Sequence, residues 1–251
     1  LKQLLLLLAT LLLPTQICSL ECGRLSLMVK GGVAPSTFEQ QGVVWITDSS
    51  QPTYSTPTTG FSSQFDVPWT VGGELAWNAS QCVQLFVEYA YTGAGGKVNR
   101  VEVELPTTPP QLVSFDDQFS DWSSHAAYLG TRYYLGCIFC GIHPFVGFKS
   151  GFAVQGNVPV VRTNDLGIDE RFDRWLERTQ LSAGLLVGLE WWFNRCLSIV
   201  LQGEFVASCG PCPNPNDEVN PPSPITVTNI SFGTPGWMAS WPITLGLRYT
   251  F

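Results

Sequence analysis

The chain has 251 residues and a formal net charge of −7; 45% of it is hydrophobic, 12% aromatic and only 13% charged. Ordinary soluble domains carry about 25% charged residues, so this supply is too small to coat a water-soluble globule of this length, and so apolar a chain is not a disordered one. The acidic balance excludes a nucleic-acid binder, and past residue 20 no apolar run approaches the ~18–20 residues of a spanning helix, which leaves a membrane protein built from strands.

Lys2 and Gln3 precede a ten-residue apolar core at 4–13 and then Pro14, the pattern of a secretory signal peptide. The expected signal is 1–19, with cleavage between 19 and 22, and a mature domain over 23–251. A lipoprotein reading at Cys18 or Cys22 is weaker, because neither follows a small residue. Export places the eight cysteines in an oxidising compartment.

Eight segments of two-residue alternation follow. Leu25, Leu27, Val29 and Val33 alternate with Ser26, Met28 and Lys30. Trp69, Val71, Leu75 and Trp77 alternate with Thr70, Glu74 and Ala76. In the third segment Val83, Leu85, Val87, Tyr89 and Tyr91 face away from Gln84, Phe86 and Glu88. In the fourth, Ala127, Leu129, Thr131 and Tyr133 face away from Tyr128 and Arg132. Val146, Phe148, Phe152 and Val154 then oppose Lys149, and Leu181, Leu185, Val187, Leu189 and Trp191 oppose Ser182 and Glu190. Leu197, Ile199, Leu201 and Phe205 alternate with Ser198, Gln202 and Glu204; Trp241, Ile243, Leu245, Leu247, Tyr249 and Phe251 alternate with Thr244 and Arg248.

The connections alternate in length. Short ones fall at about 78–81, 136–143 and 194–195, and long ones at about 34–68, 92–124, 155–180 and 207–240. Even strand number with alternating short and long links is the pattern of an outer-membrane barrel. The expected fold is therefore an all-β, eight-stranded antiparallel transmembrane β-barrel. Aromatic girdles are expected at both interfaces: Trp77, Tyr133, Tyr134, Phe145, Trp191, Trp192 and Tyr249 at the short-turn ends, and Trp69, Tyr91, Trp122, Phe152, Trp175, Trp237 and Trp241 at the long-loop ends.

The ending Trp241-Pro-Ile-Thr-Leu-Gly-Leu-Arg-Tyr-Thr-Phe251 resembles the assembly signal of bacterial outer-membrane proteins, with Tyr249 and Phe251 as its aromatic positions. Tyr133-Tyr134-Leu135, a short turn and His143-Pro-Phe-Val-Gly-Phe148 resemble a hairpin of the OmpA/OmpX-like superfamily of small eight-stranded barrels. The resemblance implies an outer-membrane location with both termini periplasmic, long loops outside, and contact with outer-membrane lipid, lipopolysaccharide and the barrel-assembly machinery. It also implies a salt-bridged plug rather than a channel. The high cysteine usage is similar to that of envelope proteins of chlamydia-like bacteria.

The alternation turns Lys30, Glu74, Glu88, Arg132, Lys149, Glu190, Glu204 and Arg248 toward the lumen, four acids against four bases. Eight strands enclose a space that side chains alone fill, so these charges are expected to pair with one another. Cys22, Cys82, Cys137, Cys140 and Cys196 fall at the short-turn rim, and Cys209 and Cys212 at the outer end of the seventh strand. All seven are disulfide candidates, Cys209 and Cys212 as a local loop bridge, the rim set as cross-links to other cysteine-rich envelope proteins. Buried, reduced thiols are the alternative.

Ser123 and His125 share a strand face and are similar to the serine–histidine pair of barrel lipid A deacylases, but no orienting acid can be assigned. Asp116, Asp117, Asp121, Asp165, Asp169, Glu170 and Asp173 form acidic loop clusters whose spacing is not that of an EF-hand. The reading is nonenzymatic, with no metal and no cofactor: an envelope barrel of structural and surface-contact role acting through four long loops. A narrow pore is the first alternative, strengthened if 43–47 and 225–231 are membrane strands; a lipid-modifying enzyme is the second.

Overall fold

The computed structural model describes residues 24–37, 39–40, 44–47, 54–55, 59–105, 111–136, 141–164, 169–175, 177–209, 227–231 and 237–251. The expected signal segment at 1–19 and Cys22, Cys137, Cys140, Asp165 and Cys212 lie outside these residues.

Eight long strands form the body: β1 (Leu25–Val33), β2 (Trp69–Asn78), β3 (Val83–Ala94), β4 (Trp122–Tyr134), β5 (Ile142–Gln155), β6 (Arg178–Trp192), β7 (Leu197–Cys209) and β8 (Ile243–Thr250). Each pairs antiparallel with the next, and β1 pairs with β8, so the sheet closes on itself. Closure leaves every strand of the body with two neighbours and removes the open edges that a flat sheet would expose. The seam depends on Gly32, where a Cβ would lie 1.9 Å from the Ile243 carbonyl oxygen. Trp237–Ser240 continues the last strand beyond Trp241 and Pro242, pairing with the end of β7 and with Ser36–Thr37.

The two-residue rhythm sorts side chains as in a membrane barrel. Along β8 burial strictly alternates, with Ile243, Leu245, Leu247 and Tyr249 outside and Thr244, Arg248 and Thr250 inside. The large exposed residues of the wall are almost all aliphatic or aromatic, whereas all eight assigned lumen charges are buried. No helix among the described residues is long and apolar enough to cross a membrane; the crossing elements are strands.

Several boundaries differ from the sequence expectation. β3 through β7 run further toward the long loops, ending at Ala94, Gln155 and Cys209 or beginning at Trp122 and Arg178. His143 belongs to β5 rather than to a turn, because pairing with β6 already starts at Ile142 and Trp191. The long connections also carry strands of their own. Val98–Leu105, Gln111–Phe119, Val158–Asn164 and Asp169–Trp175 form a separate four-stranded antiparallel sheet from the second and third loops. Val44–Thr47 pairs with Val227–Ser231 and with Tyr54–Ser55 in another sheet outside the barrel wall. The condition that would have strengthened the narrow-pore alternative, extra membrane strands at these two segments, is therefore not met.

Candidate functional site

The lumen charges form two neutral quartets at different heights. Nearer the short-turn rim, Arg132 donates through both terminal nitrogens to the two carboxylate oxygens of Glu74, the Nη2 bond at 2.5 Å. Arg248 reaches Glu74 at 3.2 Å and Glu190 at 2.7 Å. Glu190 also accepts from Tyr134 Oη and Ser198 Oγ, each at 2.5 Å. Buried ions are tolerated when they are both paired and hydrogen-bonded, and the forked guanidinium satisfies both needs at once.

Aromatic rings hold this quartet in place. The Arg132 guanidinium lies 4.3 Å from the Phe86 ring centroid and 5.3 Å from that of Phe145. Phe86 and Phe145 sit directly across from Gly130 and Gly188 on neighbouring strands, and each ring occupies space that a Cβ would need. Met28, Ala76, Leu186 and Val200 complete the apolar packing. The plug is thus half ionic and half greasy.

The second quartet, at mid-barrel, is a ring. Lys30 lies 2.9 Å from Glu88 and 2.8 Å from Glu204; Lys149 lies 2.9 Å from Glu88 and also pairs with Glu204. Lys149 stands 4.2 Å from the Tyr128 ring centroid. Gln202 couples the quartets: its Oε1 accepts from Arg132 at 2.8 Å, and its Nε2 donates to Glu204 at 2.6 Å.

At the long-loop rim a second apolar cluster covers the mouth. It contains Phe61 and Phe65 from the first long connection, Phe119 from the second, Val158 and Val160 from the third, and Met238 before β8, with Ala94 and Trp122 at strand ends. Phe61 meets Trp122 edge-on at 5.4 Å, and Phe65 meets Phe119 at 5.8 Å. Backbone bonds tie the same segments: Lys97 N to Gln64 O at 2.8 Å, Phe119 N to Lys97 O at 3.0 Å and Ser120 N to Pro159 O at 2.9 Å. All four long connections therefore share one base. Above it the four-stranded loop sheet is pinned by a bidentate pair, Arg162 to Asp117 at 2.6 and 2.8 Å.

Three residues assigned to the girdles point inward instead. Tyr134 and Phe145 pack in the lower lumen and Trp122 in the cap. Position near a strand end does not decide the face; the alternation does, and it puts Tyr134 with Arg132 and Trp122 with Tyr128. Trp192 also packs partly against the inner cluster. Trp69, Trp77, Tyr133, Phe152, Trp191, Trp237, Trp241 and Tyr249 are exposed on the outside. Tyr249 and Phe251 meet edge-on at that surface, their ring centroids 5.2 Å apart.

His125 sits among the exterior aromatics, its ring centroid 4.9 Å from that of Tyr91, and its Nδ1 is bonded to the Tyr89 hydroxyl at 2.7 Å rather than to Ser123. Of the acidic loop residues, Asp117 is held by Arg162, Asp121 accepts from Gly96 N at 3.2 Å, and Asp169, Glu170 and Asp173 fall on a strand of the loop sheet. No group of three His, Cys, Asp or Glu among the described residues is placed to hold a metal.

Cys82, Cys196 and Cys209 are free, half-buried thiols. Cys209 pairs in strand register opposite Trp237, and Cys212, its expected partner in a local bridge, lies outside the described residues. Cys82 lies between β2 and β3 and Cys196 between β6 and β7, four strands apart on opposite sides of the same rim.

Sequence reasoning passed over Gln84, Gln202, Ser198 and Tyr134 as members of the network. Gln84 accepts from Arg132 at 3.2 Å. The signal was present: each lies an even number of residues from an assigned lumen charge on its own strand.

No protein-family model matches the chain, and no curated protein does. Among solved structures it is similar to Neisserial surface protein A, at 10% identity over 90% of this chain and 97% of that one, TM-score 0.44. It is also similar to the outer membrane protein OprG of Pseudomonas aeruginosa, at 12% identity over 94% and 99%, TM-score 0.42. The attachment invasion locus protein Ail of Yersinia pestis matches at 12% identity over 92% and 99%, TM-score 0.37. The fold assignment rests on the closed strand pairing itself, and similarity at this level says nothing of role.

Proposed function

We propose that this chain is a nonenzymatic bacterial outer-membrane barrel that serves envelope structure and surface contact, with its short-turn rim and both strand termini in the periplasm and its long loops outside. One observation carries the reading: the barrel interior is filled by ion pairs and packed rings, while all four long connections are joined at a single apolar base that supports a protruding sheet. A filled lumen serves rigidity, and loops held on a rigid barrel are where contact with other molecules is made. The exposed wall, apolar around its circumference, is the face for outer-membrane lipid and lipopolysaccharide, and Tyr249 and Phe251 are the positions offered to the assembly machinery.

The test is a loop exchange that spares the base. Residues 100–117 and 162–173 are replaced by short Gly/Ser links, leaving Phe119, Trp122, Val158 and Val160 in place. Expected is a variant that keeps the compact, heat-modifiable gel mobility of the barrel while cells displaying it lose adherence to host-type surfaces. Unchanged adherence refutes the contact role, and stepwise conductance of the wild-type protein in a planar bilayer refutes the filled-lumen reading.

A second role, covalent cross-linking within the envelope, is favoured by the placement of Cys82 and Cys196. Two free thiols on opposite sides of one rim cannot bridge each other but can each reach a neighbouring molecule.

A further inference from the structure

The lipid-facing wall is not uniform. Where β4 to β7 run side by side in its loop-side half, the outward positions become small: Ser150, Ala183 and Ala207 stand in register on neighbouring strands. The next outward row toward the loops carries Phe152, Leu181 and Trp237, all strongly exposed. Val87 and Leu129 close the β3–β4 end. Between these residues lies an open groove of about 720 Å³, within the ~300–1,000 Å³ of small-molecule sites. Its outward side chains are apolar except for the Ser150 hydroxyl and the Cys209 thiol.

The groove has one polar end. In the loop-side row Ala127 stands between Tyr89 and Phe152, and this gap opens toward His125, two residues nearer the loops on the same face. There the Tyr89 hydroxyl and His125 Nδ1 share a hydrogen bond at 2.7 Å. The Tyr91 ring lies 4.9 Å from the imidazole and 5.3 Å from Trp69, centroid to centroid. Tyrosine and tryptophan near a strand end mark the level of lipid headgroups. A greasy groove that runs up to a ledge of rings and hydroxyls has the polarity of an amphiphile, tail below and head above.

We propose that this groove holds one acyl chain of an outer-leaflet glycolipid, whose sugar headgroup rests on the ledge of Tyr89, Tyr91 and His125. The assignment rests on the orientation proposed above, with the long loops outside. Three observations select this occupant. The groove is continuous with the wall that meets lipid, and a depression there that no chain entered would forfeit packing contacts along its whole floor. Its span across four strands is about 14 Å by strand spacing, comparable with half of the ~30 Å hydrocarbon core, so it matches the chain of a single leaflet. Among the described residues neither groove nor ledge includes a Lys or Arg. The head is therefore met by ring faces and neutral hydrogen bonds, which suit sugar hydroxyls better than a bare phosphate. A second barrel fits poorly, because a stiff wall would rest on Phe152, Leu181 and Trp237 and leave the floor unfilled.

The test is native mass spectrometry of the intact barrel, released from phosphatidylethanolamine bilayers that also contain deep-rough lipopolysaccharide. Expected is one lipopolysaccharide retained per barrel in preference to phosphatidylethanolamine. Ala183→Phe and Ala207→Phe each fill the floor from outside and leave the lumen untouched; either should lower that retention by about tenfold. Val29→Phe, outward on the opposite wall, should not. Tyr89→Phe should lower the preference for lipopolysaccharide over phosphatidylethanolamine. Heat-modifiable gel mobility identifies the folded variants. Equal retention by the floor variants and Val29→Phe, no preference over phosphatidylethanolamine, or a dimer abolished by Ala183→Phe would overturn the proposal. An unchanged preference in Tyr89→Phe overturns the ledge as the headgroup site. Protease cleavage of the loops on intact cells reads the orientation separately, so failure of the site and failure of the orientation are told apart.

Discussion

Replacing Arg132 by methionine is the sharpest probe of the plug. Arg132 is fully buried and makes two bonds to Glu74, one to Gln84 and one to Gln202. After Arg132→Met the Glu74 carboxylate keeps only Arg248 at 3.2 Å, a cation already committed to Glu190 at 2.7 Å, and the quartet carries one uncompensated negative charge. Stranding one partner of a buried ion pair costs about 3–5 kcal/mol. Methionine fills much of the arginine stem beneath the Phe86 ring, so the loss measures charge more than volume. The double variant Glu74→Met/Arg132→Met restores neutrality, leaving Arg248 and Glu190 as a self-sufficient pair, and its expected cost is within about 1–2 kcal/mol of wild type, because apolar replacement of a buried pair is often close to neutral. Denaturant unfolding in micelles, followed by tryptophan fluorescence, gives both values. A single variant costing under about 1 kcal/mol, or a double variant less stable than the single, would refute the account of the lumen as a set of mutually required charges.

Three further outcomes follow from the geometry. Gly32→Ala drives a methyl into the Ile243 carbonyl at the β1–β8 seam and should abolish the compact gel form, whereas Gly73→Ala, with its nearest atom at 3.9 Å, should leave it intact; equal behaviour of the two would contradict the seam. Leu185→Arg, outward at the middle of β6 between Phe148 and Phe205, should cost about 2–4 kcal/mol in a lipid-borne refolding equilibrium, against about 0–1 for Thr179→Arg at the rim; a cost independent of depth would mean that this face does not meet lipid. In a chain whose other cysteines are serine, mild oxidation should give ladders through Cys82 and Cys196, reduced to dimers by Cys82→Ser or Cys196→Ser. Monomer throughout on non-reducing gels would exclude cross-linking at these positions.

The architecture was legible because the exterior meets a uniform solvent. A lipid face demands an apolar residue at every second position, so eight alternating runs and their unequal links disclose the barrel without any knowledge of pairing. The loop strands at 98–105, 111–119, 158–164 and 169–175 were passed over. They are not bathed on one side by lipid, and their alternation is short: Val101, Val103 and Leu105 alternate with Glu102 and Glu104, but a run of five residues inside a polar stretch is shorter than a membrane-spanning strand and reads as loop. Likewise the cap draws only one or two residues from each of four distant connections, and a pair such as Phe61 and Phe65 or Val158 and Val160 is too short a run to mark it.

The lumen shows where a face assignment stops and register begins. Alternation placed eight charges inside, and all eight are inside. It could not say which acid meets which base, since the answer is not set by neighbouring strands. Glu74 and Glu88 stand directly opposite each other on β2 and β3, an arrangement of like charges that by itself opposes pairing. Each is instead satisfied by other strands, Glu74 by Arg132 and Arg248, Glu88 by Lys30 and Lys149. These two glutamates therefore divide between the quartets, and the division is possible only once β1, β4, β5 and β8 have closed around them. The network is a consequence of closure, and a half-assembled sheet would hold the same acids side by side without their bases. Closure of the barrel and neutralisation of its interior are, on this geometry, one event.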